Sequence, residues 1–339
     1  MVNLAIPALI GLAAVLFDAN PSLYLFDKIQ TVTSSLKSSA DKSGSSELPS
    51  PYGGFYEGKK VWITGASSGI GRDLAVKLCG AGASVLASAR GEAGLMETKG
   101  LCKGKGGKIG VLPMDVLGGT AVLESAVERA IAELGGVDIL ILNAGRSQRM
   151  PAVETPIGVT KDLMRLNFES TVELALLTMT KDDWVKKKKG HIAVTSSVAA
   201  KLPTPLSTSY SASKAALHGY FNGLRSEHPH LRVDLICPGP VATPIASNAH
   251  GLEGKAVEAG ENKMNVGRAA QLMLAGMSGP SFLFYETWIS QQPVLGFTAA
   301  SQYLPGVVTA LSRVVGPVRV KAFKEGKDLY KLSSYFSKD

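Results

Sequence analysis

Lys60-Val-Trp-Ile-Thr64-Gly65-Ala66-Ser67-Ser68-Gly69-Ile70-Gly71 is a short apolar strand pattern that runs directly into a glycine-rich turn. An apolar helical pattern follows from Arg72 to Leu78. Gly65 and Gly69 permit a tight turn and close approach of the backbone to a ligand, and Gly71 permits close helix–strand packing. Beyond them the helix N-terminus offers unpaired N–H groups and a positive dipole end to a pyrophosphate. Ser67, Ser68 and Ile70 complete the candidate phosphate cradle. The spacing is Gly-x-x-x-Gly-x-Gly, not the generic GxGxxG, so the strand–turn–helix setting carries the reading.

Working outward, the same texture repeats. Strand patterns recur at Val85 to Ala89, Ile109 to Met114, Ile139 to Leu142, His191 to Thr195, Val233 to Cys237 and Tyr285 to Ser290. Helical patterns separate them, including a long one from Thr160 to Lys187, another from Tyr210 to Arg225 and an amphipathic one from Val266 to Met277. Short buried strands alternating with helices predict βαβ units with right-handed crossovers. The expected fold is α/β, a Rossmann-type doubly wound parallel sheet over residues 58–290. No internal repeat is present.

The flanks differ in character. Residues 1–28 are apolar and uncharged from Leu4 to Phe17, then interrupted by Asp18, Asn20 and Pro21. That run is short for a span of ~20 residues. It suits a signal-peptide core or a membrane anchor, with a buried N-terminal helix as the alternative, and it continues as a weak signal anchor if it extends through Phe26. Residues 29–57 read as a linker, rich in Ser, Lys, Gly and Pro. Residues 242–261 have the small, polar composition of a mobile lid. Residues 291–339 form an extension with no charge before Arg313 and a basic, aromatic end. It suits a membrane-facing or dimer-burying surface.

The 339 residues carry a net charge of +8, with 45% hydrophobic and 19% charged residues. The pI is about 9.2 and the mean hydropathy +0.14. This balance suits anionic ligands or an anionic membrane surface. Nucleic acid is not an expected partner, because zinc-finger spacing, a basic helix and aromatic ribonucleoprotein motifs are all missing. The basic run Lys186 to Lys189 reads as a solvated helix end. Cys79, Cys102 and Cys237 form no CxxC pair and are odd in number, which argues against a disulfide framework and against zinc. No metal is expected.

Four further stretches bear on chemistry. Ser88-Ala89-Arg90 ends the second strand without the carboxylate that holds an NAD ribose, and Arg90 can pair with a 2′-phosphate, which favours NADP(H) over NAD. Asp115 follows the third strand and Asn143-Ala144-Gly145 the fourth, both at carboxyl ends where open sheets bind ligands. Tyr210 and Lys214 stand at i and i+4 and so share a helix face. Ser197 lies just past a strand end that can present its hydroxyl.

TGASSGIG, Asp115, LNAG, Asn167, Ser197, YSASK and PGPVAT, in this order, resemble the short-chain dehydrogenase/reductase (SDR) family. The stretches GRSQRM, FNGLRSE, ICPGPV and WISQQP, with the C-terminal extension, resemble its member-seven subgroup. One departure is Leu142, where the family commonly has a first asparagine. The resemblance implies hydride transfer between nicotinamide and a carbonyl carbon, with Tyr210 as general acid and Lys214 lowering its pKa and holding the nicotinamide ribose. It implies that Ser197 orients the carbonyl, that Asn167 holds a proton-relay water, and that Val241 and Thr243 contact the nicotinamide.

The expected activity is NADPH-dependent reduction of a lipophilic, retinoid- or steroid-like aldehyde or ketone. An alcohol dehydrogenase working oxidatively and a catalytically silent, membrane-tethered nucleotide-binding protein are the alternatives. The resemblance also suggests the endoplasmic reticulum or another intracellular membrane as the location, and a homodimer as a possible assembly. His191, His218, His228, His230 and His250 show neither metal spacing nor pairing with a nucleophilic serine, which argues against a serine hydrolase.

Overall fold

A computed structural model describes residues 18–19, 21–40, 52–103, 106–252 and 263–327. Seven strands form one parallel sheet in the order β3-β2-β1-β4-β5-β6-β7. They are β1 Lys60–Thr64, β2 Ser84–Ala89, β3 Lys108–Pro113, β4 Ile139–Leu142, β5 His191–Thr195, β6 Arg232–Pro238 and β7 Glu286–Ile289. Strand order reverses between β1 and β4, where Val61 pairs with Ile139 and Ile63 with Ile141. Doubly wound sheets open a ligand crevice at that switch point, outside the carboxyl ends of the strands.

Strand alternation divides the core into two layers. Val61, Ile63, Val85 and Ala87 pack with residues of the helices Gly69–Gly80 and Val266–Ser278 on one face. Trp62 and Leu86 point the other way, among residues of the helices Thr120–Leu134, Ser170–Lys181 and Thr208–Glu227. Because helices cover both faces, these strands read as near-continuous apolar runs. The buried Trp62 indole is satisfied, its Nε1 donating to Ser88 Oγ at 2.8 Å.

The structure departs from the sequence reading in three places. The long helix expected from Thr160 to Lys187 is Ile157–Met164, a π-helical turn Arg165–Glu169 and Ser170–Lys181. Asp183, with φ 53°, then breaks the chain before the short helix Trp184–Lys187. A π turn inserts one extra residue into a helix, and here it contains the buried Asn167. Second, the helix Pro21–Ala40 occupies part of the presumed linker 29–57.

Third, Cys79 and Cys102 form a disulfide with Cα atoms 5.9 Å apart, contrary to the expectation drawn from cysteine spacing. The fold brings the last turn of helix Gly69–Gly80 beside the chain leaving helix Glu92–Gly100, a proximity that no local spacing encodes. The C-terminal extension, to which the sequence reading gave no secondary structure, is helical at Val294–Tyr303 and Pro305–Lys324, and the second helix continues through Pro317.

The apolar run Leu4 to Phe17 lies outside the described residues. Residues 18–19 and 21–28 dock on the domain. Leu23 is fully buried, Ala19 bridges to Ile289, and Ser290 N donates to Asp18 O at 3.1 Å. Arg268 on helix Val266–Ser278 pairs with both Asp18, at 2.7 Å, and Asp27, at 2.6 Å. Among the described residues no helix is long and apolar enough to cross a membrane.

Candidate active site

The carboxyl ends of the strands border a cleft of ≈ 1180 Å³. Its lining brings together Gly65, Ser67, Ser68, Gly69, Ile70, Arg90, Asp115, Asn143, Ala144, Gly145, Ser197, Tyr210, Lys214, Val241 and Thr243. Of the residues singled out from sequence, Gly71 and Asn167 stand behind this lining and act on its shape.

The turn after β1 needs its glycines. Gly65 and Gly69 have φ of 70° and 55°, where side chains are strained. A Cβ on Gly65 would sit 2.9 Å from Ala144 Cα, and one on Gly71 would collide with Gly65 O. The Ser68 side chain makes no capping bond, so it leaves the first turn of helix Gly69–Gly80 without a local acceptor. An uncapped helix start behind a glycine cradle fits a dinucleotide pyrophosphate.

Asn143 stitches this turn to the neighbouring strands. Its Nδ2 donates to Thr64 O at 3.2 Å and Gly65 O at 3.3 Å, while Asn143 N and Ala144 N donate to Thr64 Oγ1 at 3.0 and 3.1 Å. From β5, Thr195 Oγ1 donates to Asn143 Oδ1 at 3.3 Å. Thr64 and Thr195 carry no motif of their own in the sequence; their strand-end positions, with LNAG at the end of the strand between them, are the one signal of this role. Leu142 is buried as part of β4. Arg90 is exposed just past β2, and Asp115 is exposed just past β3 with its Oδ1 accepting from Leu117 N at 3.0 Å.

Tyr210 and Lys214 lie on helix Thr208–Glu227. Lys214 is 4% exposed, and its Nζ donates to Thr195 O at 2.8 Å. Burial pushes its ammonium down to about 8, because the charged form loses solvation. Ser197 follows β5; its Oγ donates to Pro238 O at 3.3 Å and accepts from Ala199 N at 3.1 Å.

Asn167 is fully buried in the π turn. Its Oδ1 accepts from Arg146 N at 2.9 Å, and its Nδ2 donates to Arg146 O at 3.0 Å and Ser213 Oγ at 2.9 Å. Between Asn167 and Lys214 lies Gly145, where a Cβ would come 3.0 Å from Asn167 Oδ1 and 3.5 Å from Lys214 Nζ. The loop after β6 completes the cleft. Val241 bridges to Met264, and Thr243 lies against Gly69. Residues 253–261 of the expected lid lie outside the described residues.

One histidine given no role in the sequence reading is built into the support. His218, one turn beyond Lys214, lies 2.9 Å from Ser196 Oγ through Nε2 and 3.2 Å from Glu286 Oε2 through Nδ1. Burial would raise the Glu286 carboxyl, but the His218 and Trp288 hydrogen bonds with the nearby Lys201 charge hold it at about 2. Among the described residues no cluster of metal-ligating side chains occurs.

Residues 59–252 match the family model of the short chain dehydrogenases. The chain is 38% identical over 289 residues to human dehydrogenase/reductase SDR family member 7, covering 81% of this chain and 82% of the relative. It is 33% identical to a hydroxysteroid 11-beta-dehydrogenase 1-like protein of Gallus gallus, covering 70% of this chain and 82% of that one. Its fold is also similar to that of a solved actinorhodin polyketide ketoreductase variant with NADPH, at TM-score 0.62 and 25% identity, covering 70% of this chain and 97% of that one. With a family model spanning more than half its length and a relative matched over four-fifths of it, the chain belongs to the short-chain dehydrogenase/reductase family of oxidoreductases.

Proposed function

We propose that the protein reduces a lipophilic aldehyde or ketone to an alcohol with NADPH. The observation that carries this reading is the placement of Ser197, Tyr210 and Lys214 in the same cleft as the glycine turn. Gly65 to Gly71 would hold the pyrophosphate, Arg90 the 2′-phosphate, Asp115 the adenine and Lys214 the nicotinamide ribose, with Asn143 to Gly145, Val241 and Thr243 along the rest of the dinucleotide. When bound, NADPH supplies the hydride.

The chain's own residues handle the oxygen and the proton. Ser197 Oγ, poised at 3.3 Å from Pro238 O, can turn its proton to the substrate oxygen and orient it. Tyr210 gives its phenolic proton to that oxygen as negative charge develops there. A phenol has an ordinary pKa of ~10, and a nearby ammonium favours its ionised form, which eases proton release. Lys214 supplies that charge, fixed by Thr195 O, and with a pKa of about 8 it remains protonated at neutral pH. Asn167 holds the wall behind Lys214, where a relay water would return a proton to the tyrosine.

Arg90 carries the cofactor preference, since no acid follows it before Glu92, the first residue of helix Glu92–Gly100. Arg90→Asp should reverse the preference, lowering kcat/KM with NADPH by about tenfold or more relative to NADH, in line with loss of a charge-assisted contact. Unchanged selectivity would remove Arg90 from the 2′-phosphate site. The function itself is tested with purified protein, NADPH and a panel of retinoid- and steroid-like carbonyls, followed by loss of reduced-nicotinamide absorbance. A steroid-like class is supported by the relative named a hydroxysteroid 11-beta-dehydrogenase 1-like protein.

We further propose attachment to an intracellular membrane, such as the endoplasmic reticulum. The helices Val294–Tyr303 and Pro305–Lys324 expose Phe297, Val307, Leu311, Val314 and Val318 beside Arg313 and Lys321, a pattern suited to lying in an anionic interface. The same face could instead be covered in a homodimer. Flotation with anionic-lipid vesicles separates the two: the full chain should rise with the vesicles, and a dimer that stays wholly unbound would refute attachment through this face.

A further inference from the structure

The helix bearing Tyr210 begins at Thr208, and its N-cap residue, Ser207, makes no side-chain cap. The Ser207 hydroxyl donates instead to Gln148 O at 3.1 Å. A capping side chain normally accepts from the N–H groups two or three residues further on, which here belong to Ser209 and Tyr210. Both are taken by a single atom from elsewhere in the chain. Gln148 Oε1 accepts from Ser209 N at 2.9 Å and from Tyr210 N at 3.3 Å.

The amide is fixed at its other end as well. Gln148 Nε2 donates to Thr155 Oγ1 at 2.7 Å, and Thr155 Oγ1 donates onward to Pro151 O at 2.9 Å. Gln148 is 0% exposed, so water has no access to replace the cap. Its chain neighbours reach the loop after β6: Arg149 N donates to His250 O at 2.8 Å, and His250 N to Ser147 O at 2.9 Å. His250 itself lines the cleft. Thus the backbone around Gln148 ties the loop over the cleft, while the Gln148 side chain ties the first turn of the Tyr210 helix.

We propose that Gln148 is a positioning residue for Tyr210, capping the helix from outside so that the phenol is held at one height over the cleft, in register with the His250 loop. The proposal rests on Tyr210 being the proton donor. Gln148→Met keeps the length of the side chain and removes the acceptor. It should lower kcat by about 10- to 100-fold, as small misplacements of a reacting group do, with the dissociation constant for NADPH unchanged. The primary isotope effect on kcat with deuterated NADPH should rise, because chemistry becomes the slow step. A loss of folded protein would lower the rate without moving the isotope effect.

Gln148→Glu retains two oxygens able to accept the same N–H groups and should recover most of the lost kcat. Amide hydrogen exchange over residues 207–213 supplies a readout free of turnover: Gln148→Met should exchange faster than the parent, and Gln148→Glu should not. Parental kcat and isotope effect in Gln148→Met, or unchanged exchange, would overturn the proposal. If the Met variant does not fold, failure of Gln148→Glu to retain slow exchange and turnover would overturn it equally. A parent that turns over no carbonyl with NADPH would instead sink the reductase reading, and the exchange data would still decide the cap.

Discussion

Tyr210→Phe will lower turnover of a carbonyl substrate by about 10²–10⁴-fold, the usual contribution of a general acid, and will leave NADPH affinity near that of the parent. The substitution removes one oxygen from a side chain on the cleft wall, so shape and helix packing persist while the proton source is lost. Steady-state rates with the best substrate of the panel, together with fluorescence titration of NADPH, measure the two quantities separately. A Phe variant that turns over as fast as the parent would remove Tyr210 from the chemistry. A variant that loses both turnover and cofactor binding would point to misfolding, which a thermal melt distinguishes.

The second large effect lies where the N-terminal helix docks on the domain. Asp27, on helix Pro21–Ala40, is 1% exposed. Its Oδ2 accepts from Arg268 Nη1 at 2.6 Å, and its Oδ1 accepts from Gln271 Nε2 at 3.0 Å and from the Tyr52 hydroxyl. Arg268 also holds Asp18 through two bonds of 2.7 and 3.1 Å. Although burial opposes the guanidinium charge, the Asp18 and Asp27 hydrogen bonds outweigh it and raise the Arg268 pKa further above its ordinary value.

Arg268→Met should therefore destabilise the protein by about 3–5 kcal/mol, the range seen when one partner of a buried ion pair is removed. The penalty arises from the carboxylate left behind with only neutral donors. Adding Asp27→Leu should restore much of the loss, since an apolar replacement of a whole buried pair is often tolerated. Urea unfolding of the two variants tests this. If the single substitution costs under about 1 kcal/mol, the pair behaves as a surface contact, and the docking of the N-terminal helix needs another explanation.

What could be read without coordinates follows a physical divide. The glycine turn and the Tyr210–Lys214 pair are legible because their chemistry depends on residues close in sequence, at spacings that the strand–turn–helix and the i, i+4 geometry dictate. Arg90 and Asp115 are legible by position, as residues just beyond strand ends. Gln148 is not, because a cap lent from sixty residues away has no local pattern, although GRSQRM itself marks the subgroup resemblance. The π turn at Asn167 is hidden for a similar reason: the side chain bonds to Arg146 across the fold, and nothing in the helical periodicity announces it. Cys79 and Cys102 meet only because two helices end side by side. The helix Pro21–Ala40 has in part the polar composition of a linker, and its docking depends on Leu23 and a buried charge answered by Arg268, more than two hundred residues later.

The bond from Ser290 N to Asp18 O sets where both extensions of the chain leave the sheet. Asp18 precedes the N-terminal helix, and Ser290 follows β7 directly before the C-terminal helices. The two exits therefore share one corner, at the β7 border, while β3 forms the opposite border of the seven strands. A label or fusion placed along β3 would sit a full sheet width from both exits, and a cross-link between the two exits would need to span almost no distance.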